Sequence, residues 1–314
     1  QHRMMGMKTI DSPIINSPYQ EPSRHYATDT SGQLNYTQVR AGRRIFAPDV
    51  PQVPLNQPTQ GSLYDLNDLQ SEYRTQLVNI LRERVGDWRT SGYPGVASRV
   101  TLDLLTYWFA NPERADHHKL FFAQQEAVET AIWLNEVADK ANVGNHVLGQ
   151  LQLAQATAGD QAHERLPRIA FKMATGSGKT VVMACLILYH FLNRREYRAD
   201  TRYADDFLIA APGITIRDRL NVLIPDAEFT SPAHANDYYR QRALVPSQYA
   251  PALGELAHHL IITNFHAFDR RAVSGNKRSP LDGKLGLDGK KTAALEDDSL
   301  MVRRVLEKFK PGRR

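Results

Sequence analysis

The sequence predicts an α/β protein: a lobe built on a parallel sheet, incomplete in this chain, preceded by a Pro-rich extended and then helical N-terminal segment. Three observations predict it. In the second half, short apolar runs alternate with helical stretches, the pattern of βα units. Between Leu66 and Lys140 the apolar residues recur at helical spacing. The first sixty residues carry seven of the seventeen prolines and little apolar periodicity, which favours extended segments and turns.

Each element follows from its own local pattern. Leu66, Leu69, Tyr73, Leu77, Ile80, Leu81 and Val85 predict a helix that Gly86 stops. A second helix fits Ala97 to Ala110, closed before Pro112. A third fits Lys119 to Lys140, with Phe122, Val128, Ile132 and Trp133 on or near one face. A polar, Ala/Gln-rich loop is expected over 149–165. Beyond it the sequence predicts a buried strand at Arg168–Met173, a helix at Gly178–Leu192, a strand at Phe207–Ala211 and a helix at Arg217–Leu223. The run Leu256–Thr263 ends at a turn, and Ser274–Lys291, rich in Gly and Lys, reads as a loop. The expected organisation is an extended segment over 1–60, a helical segment over 61–148, and the α/β lobe over 149–314.

Composition excludes several classes. The chain has 314 residues and a 42% hydrophobic share, enough for a core. Its longest apolar stretch, Val181–Leu192, is interrupted by Tyr189 and His190 and falls short of the roughly 18 residues of a membrane span. The single cysteine, Cys185, rules out an internal disulfide and a cysteine-based zinc site, which fits a reducing cytoplasm. Its apolar neighbours Met183, Leu186, Ile187 and Leu188 make it core packing. The net charge of +5 is localised: residues 299–314 hold six basic side chains (Arg303, Arg304, Lys308, Lys310, Arg313, Arg314) against Glu307. Such a cluster suits either nucleic-acid phosphates or a solvated helix face. The chain opens at Gln1 and closes at Arg314 without a domain-ending signal, so a fragment at both ends is expected.

The chemistry is concentrated in Met173-Ala174-Thr175-Gly176-Ser177-Gly178-Lys179-Thr180. A strand before it and a helix after it are the context a phosphate-binding loop requires. Gly176 and Gly178 let backbone N–H groups converge on phosphate without an intervening Cβ, and the helix N-terminus adds partial positive charge. Lys179 is the candidate for the β- and γ-phosphates, and Thr180 for Mg²⁺. Met173 stands where the general G-x-x-x-x-G-K-[ST] pattern has glycine.

This loop resembles that of superfamily-two helicases and translocases, in the form common among the motor subunits of type I and type III restriction enzymes. Phe207-Leu-Ile-Ala-Ala-Pro-Gly-Ile-Thr-Ile-Arg-Asp-Arg-Leu220 is similar to the family's motif Ia, a strand leading into a turn that touches nucleic-acid backbone. Leu260-Ile-Ile-Thr-Asn-Phe-His-Ala-Phe268 resembles a later strand-and-turn motif, and Ser17-Pro-Tyr-Gln-Glu-Pro-Ser-Arg-His-Tyr26 is similar to the start of type III res subunit-like proteins. The resemblance implies a RecA-like P-loop NTPase lobe, ATP and Mg²⁺ as cofactors, duplex DNA contacted through its backbone, and a modification methyltransferase as partner. It places Thr175, Gly176, Ser177, Gly178, Lys179 and Thr180 on the nucleotide, with Lys179 and Thr180 also catalytic. It places Thr215, Arg217, Thr263 and Asn264 on the nucleic acid; capping or an ordinary turn is the alternative for each. The superfamily also has a glutamine that reads adenine about fifty residues before the loop lysine. Phe121-Phe122-Ala123-Gln124-Gln125-Glu126-Ala127 supplies Gln124, with Gln125 as the fallback, and an amide suits the adenine edge because it offers both acceptor and donors.

A motor of this class also needs an acidic motif, Asp-Glu-x-His or similar, at a strand end to hold Mg²⁺ and activate water. No such motif occurs: Asp205-Asp206 precede their strand, and Glu296-Asp297-Asp298 follow no apolar run. The chain is expected to stop just before it and to lack efficient hydrolysis by itself. The pairs His117-His118 and His258-His259 lack further ligands at metal-binding spacing. Other readings are a repair or RNA helicase of the same superfamily, a small-molecule P-loop kinase, or a non-catalytic nucleotide- or DNA-binding piece.

Overall fold

The computed structural model describes residues 13–28, 33–46, 76–157, 168–228, 231, 234–269, 271, 296–307 and 309. The expected helix start at 66–75, the loop at 274–291 and Lys308, Lys310, Arg313 and Arg314 lie outside the described residues. The chain divides into two compact units, 1–182 and 183–314.

The first unit opens with an antiparallel hairpin, β1 (Arg24–Thr28) and β2 (Leu34–Ala41), in which Arg24 faces Ala41 and the register shifts between Tyr26 and Ala27. Gly42, at φ +84°, turns the chain out of β2 and donates its N–H to Ser23 O at 2.7 Å. Helix α1 (Leu77–Thr90) passes straight through Gly86. The stop comes at Gly92, in the left-handed region at φ +78°. Gly92 N–H bonds Arg89 O and Tyr93 N–H bonds Trp88 O, each at 3.0 Å, closing the helix end. The Trp88 and Tyr93 rings meet at 4.9 Å across that closure. Gly86 needs no special φ and is tolerated at modest cost, whereas an end requires the left-handed residue.

Helix α2 (Arg99–Leu105) is capped by Ser98, whose Oγ accepts from Thr101 N at 3.0 Å, and runs into a π turn over Thr106–Ala110. Replacing buried Ser98 with alanine is expected to cost about 1 kcal/mol of stability, read as a lower urea midpoint. Helix α3 (Phe122–Glu136) buries Phe122, Val128, Ile132 and Trp133, the face the sequence predicts. Helix α4 (Asn142–Thr157) replaces most of the expected 149–165 loop. Val147, Leu148 and Leu151 have helical spacing, and Ala, Gln and Leu are strong helix formers, so polar composition misled there.

The segment 168–173 is not a strand among the described residues, and Ile169 is 48% exposed. An apolar run becomes a strand only where a neighbour pairs its backbone.

Helix α5 (Lys179–Glu196) crosses into the second unit, where β3 (Phe207–Ala211) pairs in parallel with β4 (Leu260–Asn264). Parallel strands need a long connection. Here it contains α6 (Ile214–Arg219), continued by a 3₁₀ turn over Leu220–Leu223, then α7 (Tyr238–Gln241) and α8 (Leu253–Leu256). Helix α9 (Asp298–Val305) follows, capped by Asp297. Leu188, Tyr189, Leu223, Tyr239, Leu244, Leu253 and Leu256 form the core of this unit, with Cys185 also buried. The mixture of helices with a small parallel sheet is compatible with a RecA-like lobe. Among the described residues no helix is long and apolar enough to cross a membrane.

Candidate nucleotide site and the strand edge

The loop from Ala174 to Lys179 curls around one carbonyl. Ala174 O accepts from Ser177 N at 3.3 Å, Ser177 Oγ at 2.7 Å and Lys179 Nζ at 2.9 Å. Gly176 and Gly178 both lie at φ +80°, the conformation L side chains avoid. Thr175 and Lys179 are exposed and Thr180 is half-buried in the first turn of α5. That turn has no acidic residue, while Arg194 and Arg195 occupy the last turn. The basic C-terminal turn therefore matches the helix dipole, while the N-terminal end, with no acidic side chain of its own, is left to favour an outside anion.

Gln124 is built into this loop. It is 5% exposed; its Oε1 accepts from Phe121 N at 2.9 Å and its Nε2 donates to Ser177 O at 3.1 Å. The first bond ties the start of α3, and the second carries it to the phosphate loop. Gln125 turns elsewhere, donating to Glu129 Oε1 at 2.7 Å. Of the two candidates, Gln124 is the one that meets the loop.

Sequence reasoning missed what holds α3 in place. Glu129 is fully buried and accepts from Arg89 Nε at 2.8 Å and from the Tyr93 hydroxyl at 2.7 Å. Burial and the Glu129 charge push the Tyr93 phenol well above its ordinary range, so it stays a donor. Burial opposes the Arg89 charge, but Glu129 more than offsets it and holds the guanidinium above its usual value. One turn earlier, Glu126 takes a two-pronged bond from Arg43. Arg43 and Arg89 both lie over the Phe122 ring, 5.4 and 5.0 Å from its centre. Pro18 O accepts from Phe122 N at 2.8 Å, and Tyr19 packs on Phe121. The N-terminal segment thus clamps the helix start that carries Gln124. The partners are tens of residues apart, and no local pattern marks them.

In the second unit the parallel register sets Ala210 beside Thr263 and Ala211 beside Asn264. Helix α6, which opens after Gly213 just beyond β3, carries Thr215 and Arg217 and packs against both strands. All four candidate nucleic-acid residues therefore gather at the carboxyl end of the strand pair, where open α/β sheets bind ligands. Thr215 is exposed, and Arg217 is half-buried with its guanidinium on Asp218 Oδ1 at 3.0 and 2.8 Å. Asn264 Oδ1 accepts from His266 N at 2.9 Å, capping the turn that follows. Arg304 of the basic tail pairs with Glu296 and donates to Ala267 O at 2.9 Å, so this part of the tail charge is spent inside the fold.

His259 bonds Asp206 at 2.8 Å at the opposite end of the strands, and the His117 and His118 ring centres lie 4.0 Å apart with the planes tilted by 49°. Among the described residues no three His, Cys, Asp or Glu side chains form a metal cage. Mg²⁺ bound mainly through substrate phosphates needs no such cage, so Thr180 beside an anion-binding helix end fits that ion.

Fold and site together define a mixed helix–strand protein with a small parallel strand pair and a glycine-rich loop that opens a long helix. A family model for the type III restriction enzyme, res subunit, matches residues 117–280, more than half of the chain. The chain belongs to that family, whose members are helicase-like ATPases. Comparison with curated proteins and with solved structures gave no match.

Proposed function

We propose that this chain is the nucleotide-binding part of the ATP-dependent DNA translocase motor of a type III-like restriction subunit, working in the cytoplasm. The observation that carries the reading is the pair of left-handed glycines around Ser177, opening onto an 18-residue helix that begins at Lys179. Bound ATP with Mg²⁺ would supply the phosphoanhydride whose cleavage drives movement. The chain's own residues bind and orient. The Thr175–Gly178 backbone cradles phosphate, Lys179 leaves Ala174 O for the β- and γ-phosphates, and Thr180 offers its hydroxyl to Mg²⁺. Gln124 has one amide hydrogen and one Oε1 lone pair left for the adenine edge after its two internal bonds.

Thr215, Arg217, Thr263 and Asn264 contact duplex backbone, which positions DNA without reading sequence. Recognition of a target then falls to a partner, the modification methyltransferase of such systems. Calorimetric titration with ATP and Mg²⁺ tests the first half: Lys179→Ala is expected to weaken binding by roughly tenfold to a hundredfold, the worth of a charge-assisted bond. Equal affinity in the variant overturns the nucleotide reading. For the second half, Arg217→Ala is expected to lower the salt slope of duplex binding by about one, and an unchanged slope removes Arg217 from the interface.

A further inference from the structure

Away from the phosphate loop, the segment leading into β1, the residues just after β2 and Arg82 of α1 line an open surface pocket of about 640 Å³, within the size range of small-ligand sites. Arg24, Arg43, Arg44 and Arg82 line it, with no carboxylate among the described residues that do. Arg43 is committed to Glu126, and Arg24 reaches Ile15 O at 2.7 Å, a neutral acceptor. Arg44 and half-buried Arg82 have no hydrogen-bond or ion-pair partner among the described residues. Burial and the Arg43 charge both push the Arg82 pKa below its ordinary value, with Glu126 and Glu21 opposing. Guanidinium groups turned toward one space repel each other unless an anion joins them.

Two further walls are aromatic. Tyr26 and Phe46 line the same cavity, Phe46 being exposed and Tyr26 braced by Tyr36 at 5.1 Å. His25 shares the lining, and its Nδ1 sits 2.8 Å from Gly42 O. A carbonyl accepts, so Nδ1 carries the proton and Nε2 remains for a ligand. Planar guanidinium forks match phosphate oxygens, and aromatic rings stack on bases whatever their sequence.

We propose that this cavity is a second nucleotide-unit site, with Arg44 and Arg82 on a phosphate and Tyr26 or Phe46 beside the base. The unit belongs either to a nucleic-acid strand or to a free nucleotide. The site gives Arg24 and His25 of the Ser17–Tyr26 motif a place in ligand binding, and it stands whether or not the phosphate loop binds ATP.

The test uses the 314-residue chain carrying Lys179→Ala, so that binding at the phosphate loop is weakened and equal in every variant compared. Affinity is measured for a short labelled single-stranded oligo-dT by anisotropy and for AMP by calorimetry. Adding Arg44→Gln and Arg82→Gln is expected to weaken one of them by at least about tenfold. Loss for oligo-dT, with a shallower salt slope, assigns the site to a strand. Loss for AMP alone assigns it to a free nucleotide. Arg44→Gln by itself, at an exposed side chain, repeats the measurement without risk to folding and is expected to move the same ligand in the same direction. No binding of either ligand to the parent, or unchanged affinity in both variants, overturns the proposal.

Discussion

Gly178→Ala is expected to weaken ATP binding as much as loss of the lysine does, although it adds one methyl group. Two costs coincide at this position. The residue sits at φ +80°, where an L side chain is strained by about 1–2 kcal/mol. An added Cβ would also overlap Gln124 Nε2. Gln124 has little room to retreat, because it is buried and its Oε1 holds the start of α3. The loop must shift or the Phe121–Gln124 bond must break, and either displaces the N–H groups that meet phosphate.

Gly176 provides the control. It has the same φ, but a Cβ there meets nothing within 4 Å. Gly176→Ala should therefore show only the backbone cost, a loss of roughly tenfold. In a Gln124→Ala background the further loss caused by Gly178→Ala should shrink to about that of Gly176→Ala, an interaction a double-mutant cycle measures by calorimetry. Additive losses in that cycle would show that Gln124 does not wall the loop.

Glu129→Ala is expected to destabilise the first unit by about 3–5 kcal/mol, the cost of leaving a buried charge without its partner. Arg89 then keeps only the longer contact to Glu21 at 3.8 Å, and the Tyr93 hydroxyl and Gln125 amide lose their acceptor. Tyr93 also stands at φ +60°, which is strained for an aromatic residue, and its bond to Glu129 helps hold it there. Urea unfolding followed by tryptophan fluorescence measures the loss, since Trp88 packs on Tyr93. Arg89→Met with Glu129→Leu should cost less than Glu129→Ala alone, because it removes both charges together. A Glu129→Ala loss below about 1 kcal/mol would place the pair among exposed bridges of little worth.

The second strand region shows how far a short motif reaches. Phe207–Ala211 is a strand with the ends its apolar run predicts, because that run is short, bounded by polar residues and paired by β4. The earlier run at 168–173 has the same look and forms no ladder among the described residues. A strand is a property of two segments, and one-dimensional pattern sees one.

What the sequence determined by itself was whatever depends on neighbours along the chain. The glycines at 176 and 178, the lysine and threonine that open α5 and the buried face of α3 are local, set by backbone geometry and the helical repeat. Family membership follows from the same local strings. Tertiary structure alone decided which of two adjacent glutamines meets the phosphate loop, since a helix sends consecutive residues to different faces. It also decided where charge is spent: Arg89 on Glu129, Arg43 on Glu126, Arg304 on Glu296. It left Arg44 and Arg82 at a pocket without such partners among the described residues. Coulomb attraction and desolvation act across space, so residues far apart in sequence settle these pairings.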